Sequence, residues 1–140
     1  MALPQILVDS GFLYALFDRG NTNYQLAKET IAVTPAQYLI PYVVLTEAAY
    51  LFKRAGGTSA VMNFLDALVK GYFQYEATPP EDLIRAQQIM AVYLDSKLDF
   101  VDCCIMALSE RLNITQVCTL DQRDFSIFRP KHCDYLELLP

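Results

Sequence analysis

The 140-residue sequence contains one histidine, His132, and no tryptophan, and its four cysteines form no C-x-x-C pair. A structural zinc site needs four histidine or cysteine ligands at close, paired spacings, so this sequence does not favour one. With a single histidine, near the C-terminal end, the sequence does not favour a mechanism that uses histidine as a base or nucleophile. The G-x-x-x-x-G-K-[ST] and G-x-G-x-x-G patterns are also missing, which excludes the common nucleotide-binding loops.

A long apolar run is missing as well. The longest uncharged run, residues 30–46, contains Pro35 and Pro41 and is shorter than the stretch of about 18 apolar residues that a membrane span needs. Residues 1–8 carry no basic side chain, so they do not have the pattern of a signal peptide. Together with cysteines that suit a reduced state, these features predict a cytoplasmic protein without membrane association.

Basic residues are outnumbered, with 11 Lys and Arg against 16 Asp and Glu, which gives a formal net charge of −5. This balance argues against a general polyanion-binding protein, which usually has a basic surface. A hydrophobic content of 54% with 19% charged residues excludes disorder. The length predicts one domain, residues 1–140, and the mean hydropathy of +0.21 leaves apolar surface for association.

Short apolar runs and helical patterns alternate along the chain. Strands are predicted at residues 5–8, 38–40, 73–75, 116–119 and 135–138. Helices are predicted at residues 10–17, 24–33, 42–55, 59–70, 79–94 and 99–112. Gly56 and Gly57 end the third helix, and residues 78–81 (TPPE) predict a capping box with Thr78 as the N-cap. This order predicts an α/β fold with a short, mostly parallel sheet of four to five strands flanked by helices.

Acidic residues lie at the points where a parallel sheet binds its ligands, beyond the carboxyl ends of the strands. Asp9 ends the first strand, and Asp121 follows the fourth. Glu47 lies in the helix after the second strand, on a helical face interpreted as mainly apolar. Asp102 interrupts an apolar helical segment one turn after Asp99. These positions predict that acids from separate segments meet at one edge of the sheet.

Carboxylates that are brought together repel one another unless a cation, a proton or a basic side chain neutralises them. Oxygen ligands without histidine or cysteine select Mg²⁺ or Mn²⁺ over zinc. One or two such ions would polarise a phosphoryl oxygen and activate a water. Capping and turn roles explain Asp9, Asp99, Asp121 and Asp124 equally well from spacing alone, so both interpretations stay open at this point.

Four segments then carry a family resemblance over nearly the whole chain: residues 6–10 (ILVDS), 45–47 (LTE), 98–108 (LDFVDCCIMAL) and 119–125 (TLDQRDF). In this order they resemble the PIN domain, and within it the VapC-type ribonuclease toxins of prokaryotic toxin–antitoxin pairs. The resemblance implies a three-layer α/β/α fold and an endoribonuclease that depends on Mg²⁺ or Mn²⁺, with one or two ions.

The resemblance also assigns roles to individual residues. By position, the catalytic and metal-binding acids are Asp9, Glu47, Asp102 and, as the more variable fourth, Asp121. Accessory positions are Ser10, Asp99, Thr119 and Asp124. Apart from the resemblance, position alone suggests candidates for contact with the RNA backbone, because four of the five follow the Asp102 helix or the Asp121 turn, and an ordinary surface charge is the alternative for each: Lys97, Arg111, Arg123, Arg129 and Lys131. The implied partners are an RNA of unspecified class, a VapB-like antitoxin and a second copy of the chain.

Three other functions compete with this one. They are a PIN nuclease of RNA processing without an antitoxin, an inactive PIN-like binding module, and a small phospho-acceptor signalling domain. The last needs a lysine at the end of a late strand, where this chain has Thr119-Leu120-Asp121. Without the four site acids the balance is 12 acids against 11 bases, so the net charge no longer argues against RNA.

Overall fold

The computed structural model describes residues 2–140 as an α/β domain with a five-stranded sheet. The strands are β1 (Gln5–Val8), β2 (Gln37–Pro41), β3 (Phe73–Glu76), β4 (Gln116–Cys118) and β5 (Glu137–Leu139). Their order is β3-β2-β1-β4-β5, and every neighbouring pair is parallel. All strands therefore end at the same edge, and the central strand β1 is the most apolar and has three fully buried residues, Ile6, Leu7 and Val8.

The helices connect these strands and cover the sheet. They are α1 (Ser10–Phe17), α2 (Tyr24–Val33), α3 (Tyr42–Val69), α4 (Pro80–Val92), α5 (Phe100–Leu112) and α6 (Arg123–Ile127). The chain moves outward from β1 to β3 and then crosses back to β4. Because parallel crossovers are right-handed, this reversal places α1–α3 on one face and α4–α5 on the other. The contacts of α1 with α2 and α3, and of α4 with α5, agree with these three layers.

Helix α3 contains an interruption at Gly57, whose φ of 75° and ψ of −165° are not helical. A residue with a side chain is strained at this φ, whereas glycine adopts it at no steric cost. The predicted end of a helix at Gly56 and Gly57 is confirmed, and a second helical segment continues to Val69.

Several predicted boundaries were wrong. Helix α4 begins at Pro80 with Pro79, not Thr78, in the N-cap position, and ends at Val92 before a 3₁₀ turn, Leu94–Ser96. Two prolines in succession fix an extended and then a helical backbone, and this overrides the predicted Thr78 cap. Strand β5 is shifted toward the C-terminus because its register with β4 pairs Glu137 with Gln116. The five-residue helix α6 was not predicted.

Two ion pairs join α4 to α5. The Arg85 guanidinium donates to both Glu110 carboxylate oxygens, at 2.6 and 3.0 Å. Arg111 Nε donates to Asp82, at 2.9 Å to Oδ1. The Glu110 carboxylate also accepts a hydrogen bond from the backbone N–H of Lys131, at 2.8 Å. These contacts fix α5, which carries Asp102, against α4 and the segment before β5.

Within residues 2–140 the helices are all too short or too polar to cross a membrane. The four cysteines are free thiols, and Cys103, Cys104 and Cys118 are buried and pack as small apolar side chains.

Candidate active site

The carboxyl edge of the sheet holds Asp9 in a fixed position. Asp9 ends β1 and is the N-cap residue of α1, where its Oδ1 accepts a hydrogen bond from the Phe12 N–H at 2.9 Å. The buried Thr119 follows β4, donates its hydroxyl proton to the Asp121 carbonyl oxygen at 2.8 Å and lies beside the Asp9 carboxyl. Asp9 is thus both a helix cap and an acid at the functional edge, so the two interpretations left open above are compatible.

A second group of acids surrounds the first turn of α5. One carboxylate oxygen from each of Asp99, Asp102 and Asp124 lies within 4.8 Å of the others. Asp99 is the N-cap residue of α5, Asp102 lies in its first turn and Asp124 comes from α6. The Asp99 N–H donates to Asp124 Oδ2 at 3.4 Å. We call these three residues, together with Asp9, the acidic cluster.

Burial and mutual repulsion raise the pKa of two of these acids. Burial raises the pKa of Asp9 to about 6, and the charges of Glu47 and Asp121 add to this, while the hydrogen bond from the Phe12 N–H acts in the opposite direction. Burial, the negative charge of Asp9 and a hydrogen bond with Asp124 raise the pKa of Asp102 to about 8. The protein alone therefore leaves negative charge at this edge without full compensation.

The residues of this edge fit a hard divalent cation. All the donors are carboxylate or hydroxyl oxygens, the ligand type that Mg²⁺ and Mn²⁺ prefer. Ser10 Oγ is buried and has no hydrogen-bond partner within residues 2–140. A buried hydroxyl that the protein leaves unpaired next to Asp9 is expected where water or an ion completes the site.

The predicted site acids lie at the same edge of the sheet, but they differ in how buried they are. The charge of Asp9 acts on Asp102 within the acidic cluster, and the charges of Glu47 and Asp121 act on Asp9. The mainly apolar helical face that carries Glu47 is not a core face, because both Glu47 and Tyr50 on it are exposed. The core face of α3 consists instead of Val44, Ala48 and Phe52, so Glu47 is free to face solvent.

The five basic residues predicted to contact RNA lie in different places. Arg123 Nη1 donates to Asp124 Oδ1 at 2.6 Å, so it lies at the acidic cluster. The guanidinium of Arg129 is held by the carbonyl oxygens of Ser126 and Phe128. Lys97 is exposed, two residues before Asp99, in a left-handed backbone conformation with φ of 53°.

Arg111 and Lys131 lie elsewhere. Arg111 is paired with Asp82 between α4 and α5, and the Lys131 backbone bonds to Glu110 in the same region. Their proximity to the site acids in sequence did not predict this, because α5 carries Asp102 and Arg111 at opposite ends. The structure therefore brings Arg123 to the site and separates Arg111 and Lys131 from it.

The raised pKa values predict an unusual pH dependence of stability in the metal-free protein. A carboxyl whose pKa is higher in the folded state destabilises that state when ionised, so stability rises as pH falls from about 8 toward 4. We expect the free energy of unfolding, measured with denaturant and a chelator, to be about 2 kcal/mol larger at pH 6 than at pH 8.5. An unchanged or smaller value at pH 6 would contradict this assignment.

Comparisons with known proteins give a consistent result. A family model described as the PIN domain matches residues 6–129. Ribonuclease VapC26 of Mycobacterium tuberculosis is 28% identical over 126 residues, which are 89% of this chain and 93% of that protein.

Two solved structures are similar in fold. VapC20 of Mycobacterium tuberculosis, described as a toxin that cleaves the sarcin–ricin loop, matches with a TM-score of 0.82 and 21% identity, over 96% of this chain and 99% of its own. VapBC2 of Rickettsia felis, bound to a DNA fragment from its promoter, matches with a TM-score of 0.70 and 13% identity, over 96% of both chains. These matches confirm the predicted α/β/α fold.

Proposed function

Because the chain belongs to the PIN-domain family, we propose that it is a divalent-metal-dependent endoribonuclease and the toxin of a VapBC-type toxin–antitoxin pair. The observation that carries this proposal is the meeting of acids from β1, α3, α5 and the β4–α6 segment at one sheet edge. The similarity to Ribonuclease VapC26 supports RNA as the substrate. We further propose that residues 1–140 form one nuclease domain.

In this proposal Asp9, Glu47, Asp102 and Asp121 hold one or two Mg²⁺ or Mn²⁺ ions, with Asp99 and Asp124 as accessory acids. When bound, the ion supplies Lewis-acid polarisation of the phosphoryl oxygen and lowers the pKa of a water. The charge of the ion also offsets the repulsion between Asp9 and Asp102, so protons leave these carboxyls as it binds.

The chain's own residues position the reacting groups. The Phe12 N–H fixes the Asp9 carboxylate at the end of a rigid buried strand. The Thr119 hydroxyl and the Asp121 carbonyl tie the β4 end to the turn that follows, which sets the place of the Asp121 carboxylate. Carboxylates fixed in this way would hold a divalent ion in a set place, and the ion would supply the positive charge that orients the scissile phosphodiester without reorganisation of the protein.

RNA cleavage in the presence and absence of metal tests this function. We expect the purified protein to cleave RNA in Mg²⁺ or Mn²⁺ and to lose cleavage in chelator, with recovery when metal is added back. Asp9→Asn should remove cleavage in metal because it removes a carboxylate that the ion needs. Cleavage that persists in excess chelator would contradict the proposal, and sequencing of the new RNA ends would identify the target.

A partner protein is the second part of the proposal. Two of the similar structures are VapBC complexes, and the exposed Tyr42, Tyr50 and Tyr72 provide apolar surface for a homodimer or an antitoxin. Free thiols and an RNA substrate suit the cytoplasm. We expect induced expression to arrest growth and co-expression of a cognate VapB-like antitoxin to restore it. A nuclease of RNA processing would cleave RNA without such an arrest.

A further inference from the structure

Arg123 connects two sides of the acidic cluster. Its Nη1 donates to Asp124 Oδ1 at 2.6 Å, and its Nη2 donates to the Ser96 carbonyl oxygen at 2.9 Å. Its backbone N–H faces Asp121 Oδ1 at 3.4 Å. Within the described part of the chain, it is the one basic side chain that forms an ion pair with any of the predicted site acids.

From this geometry we propose that Arg123 occupies the Asp124 side of the acidic cluster as a built-in cation and thereby limits the site to one tightly bound divalent ion. The inference rests on the proposed metal-dependent function. It concerns how many ions bind and which residue sets that number. The proposed function itself allows either one or two ions.

The charge and the placement of the guanidinium support this role. Arginine stays protonated at all relevant pH values, so its charge cannot be removed to make room for a metal. The Asp124 side chain is 12% exposed, and its contact with Arg123 takes up one of its two carboxylate oxygens. The other oxygen faces the Asp99 N–H. A second ion at Asp124 would therefore have to displace the guanidinium and bind next to a positive charge.

A purely structural role for Arg123 predicts something different. As a clamp it would join α6 to the 3₁₀ turn, Leu94–Ser96, and its loss would lower stability. The number of bound ions would not change, because in that role Arg123 does not compete with a metal ion for the carboxylates. Metal stoichiometry therefore distinguishes the two roles, whereas thermal stability does not.

The test is a titration of the metal-free protein with Mn²⁺ alone, by calorimetry and by electron paramagnetic resonance of the free ion. We expect the wild type to bind one Mn²⁺ per chain tightly. Arg123→Gln should bind a second ion at least about tenfold more tightly than the wild type does, because a unit positive charge in contact with the site is gone. Arg123→Lys, which keeps the charge, should behave like the wild type.

Arg129→Gln is the matched control, since it removes the same charge from a nearby arginine whose guanidinium bonds to the carbonyl oxygens of Ser126 and Phe128 and to no carboxylate. An equal gain in Arg129→Gln would overturn the proposal, as would an unchanged isotherm in Arg123→Gln. Two equally tight ions in the wild type would overturn it without any variant. A wild type that binds no Mn²⁺ would instead contradict the metal-dependent function, while a protein that binds Mn²⁺ and cleaves RNA keeps that function whatever Arg123 does.

Discussion

Asp102→Asn is expected to remove RNA cleavage and at the same time to make the metal-free protein more stable at pH 8. The carboxylate is one of the proposed metal ligands, and loss of the metal's contribution lowers the rate by about 10³-fold or more. Burial and the charge of Asp9 raise the pKa of Asp102 to about 8, so its ionised form destabilises the folded state at this pH. Asparagine has similar volume and no charge, and should gain roughly 2 kcal/mol.

This prediction is measured on one purified variant in two ways, by cleavage of RNA in Mg²⁺ and by denaturant unfolding in chelator. Asp134→Asn is the control, because Asp134 is exposed and lies in the segment before β5. It should change neither cleavage nor stability by a measurable amount. The stability gain in Asp102→Asn should shrink toward pH 5, where the wild-type carboxyl is protonated. A variant that cleaves RNA at the wild-type rate, or that is less stable than the wild type at pH 8, would contradict the assignment.

Glu110→Ala is expected to have the largest effect on stability, a loss of about 3 kcal/mol. The Glu110 side chain is 10% exposed and holds both Arg85 and the Lys131 N–H. Removal of the carboxylate leaves the half-buried Arg85 guanidinium without its partner, and the uncompensated charge accounts for most of the cost. Since Glu110 lies away from the acidic cluster, the folded variant should still cleave RNA.

The contribution of Glu110 to the free energy of unfolding changes with pH in the opposite direction to that of Asp102. Burial alone would raise the pKa of Glu110, but the bonds from Arg85 and Lys131 outweigh burial and lower it. Its contribution to stability is therefore present above the ordinary glutamate pKa, near 4.5, and is lost as pH falls through the lower folded value. Thermal or denaturant unfolding at pH 7 measures the loss in Glu110→Ala.

Glu81→Ala is the matched control for this ion pair. Glu81 is 70% exposed and lies 3.9 Å from Arg111, so its replacement should cost less than about 1 kcal/mol. If both variants lose the same stability, the buried pair between α4 and α5 is not the cause.

Local patterns predicted most of the secondary structure. The run at residues 5–8 is apolar without interruption, as a strand buried on both faces must be, and β1 forms there. Gly57 predicted the break in α3 because its backbone needs a positive φ. The cap of α4 failed because two consecutive prolines fix the backbone more strongly than one hydroxyl does. Helix α6 was missed since five residues are too few for a helical period.

The sequence by itself determined that acids follow the strand ends, and a parallel sheet brings such positions to one edge. It did not determine which acids touch, because distances between side chains of separate elements depend on packing and register. The tertiary structure placed Asp124 against Asp102 and Asp99, left Glu47 exposed, and turned Arg123 toward the cluster. Such contacts depend on packing between elements that are distant in the sequence. Helices α5 and α6 are separated along the chain by β4 and come into contact only in the folded domain.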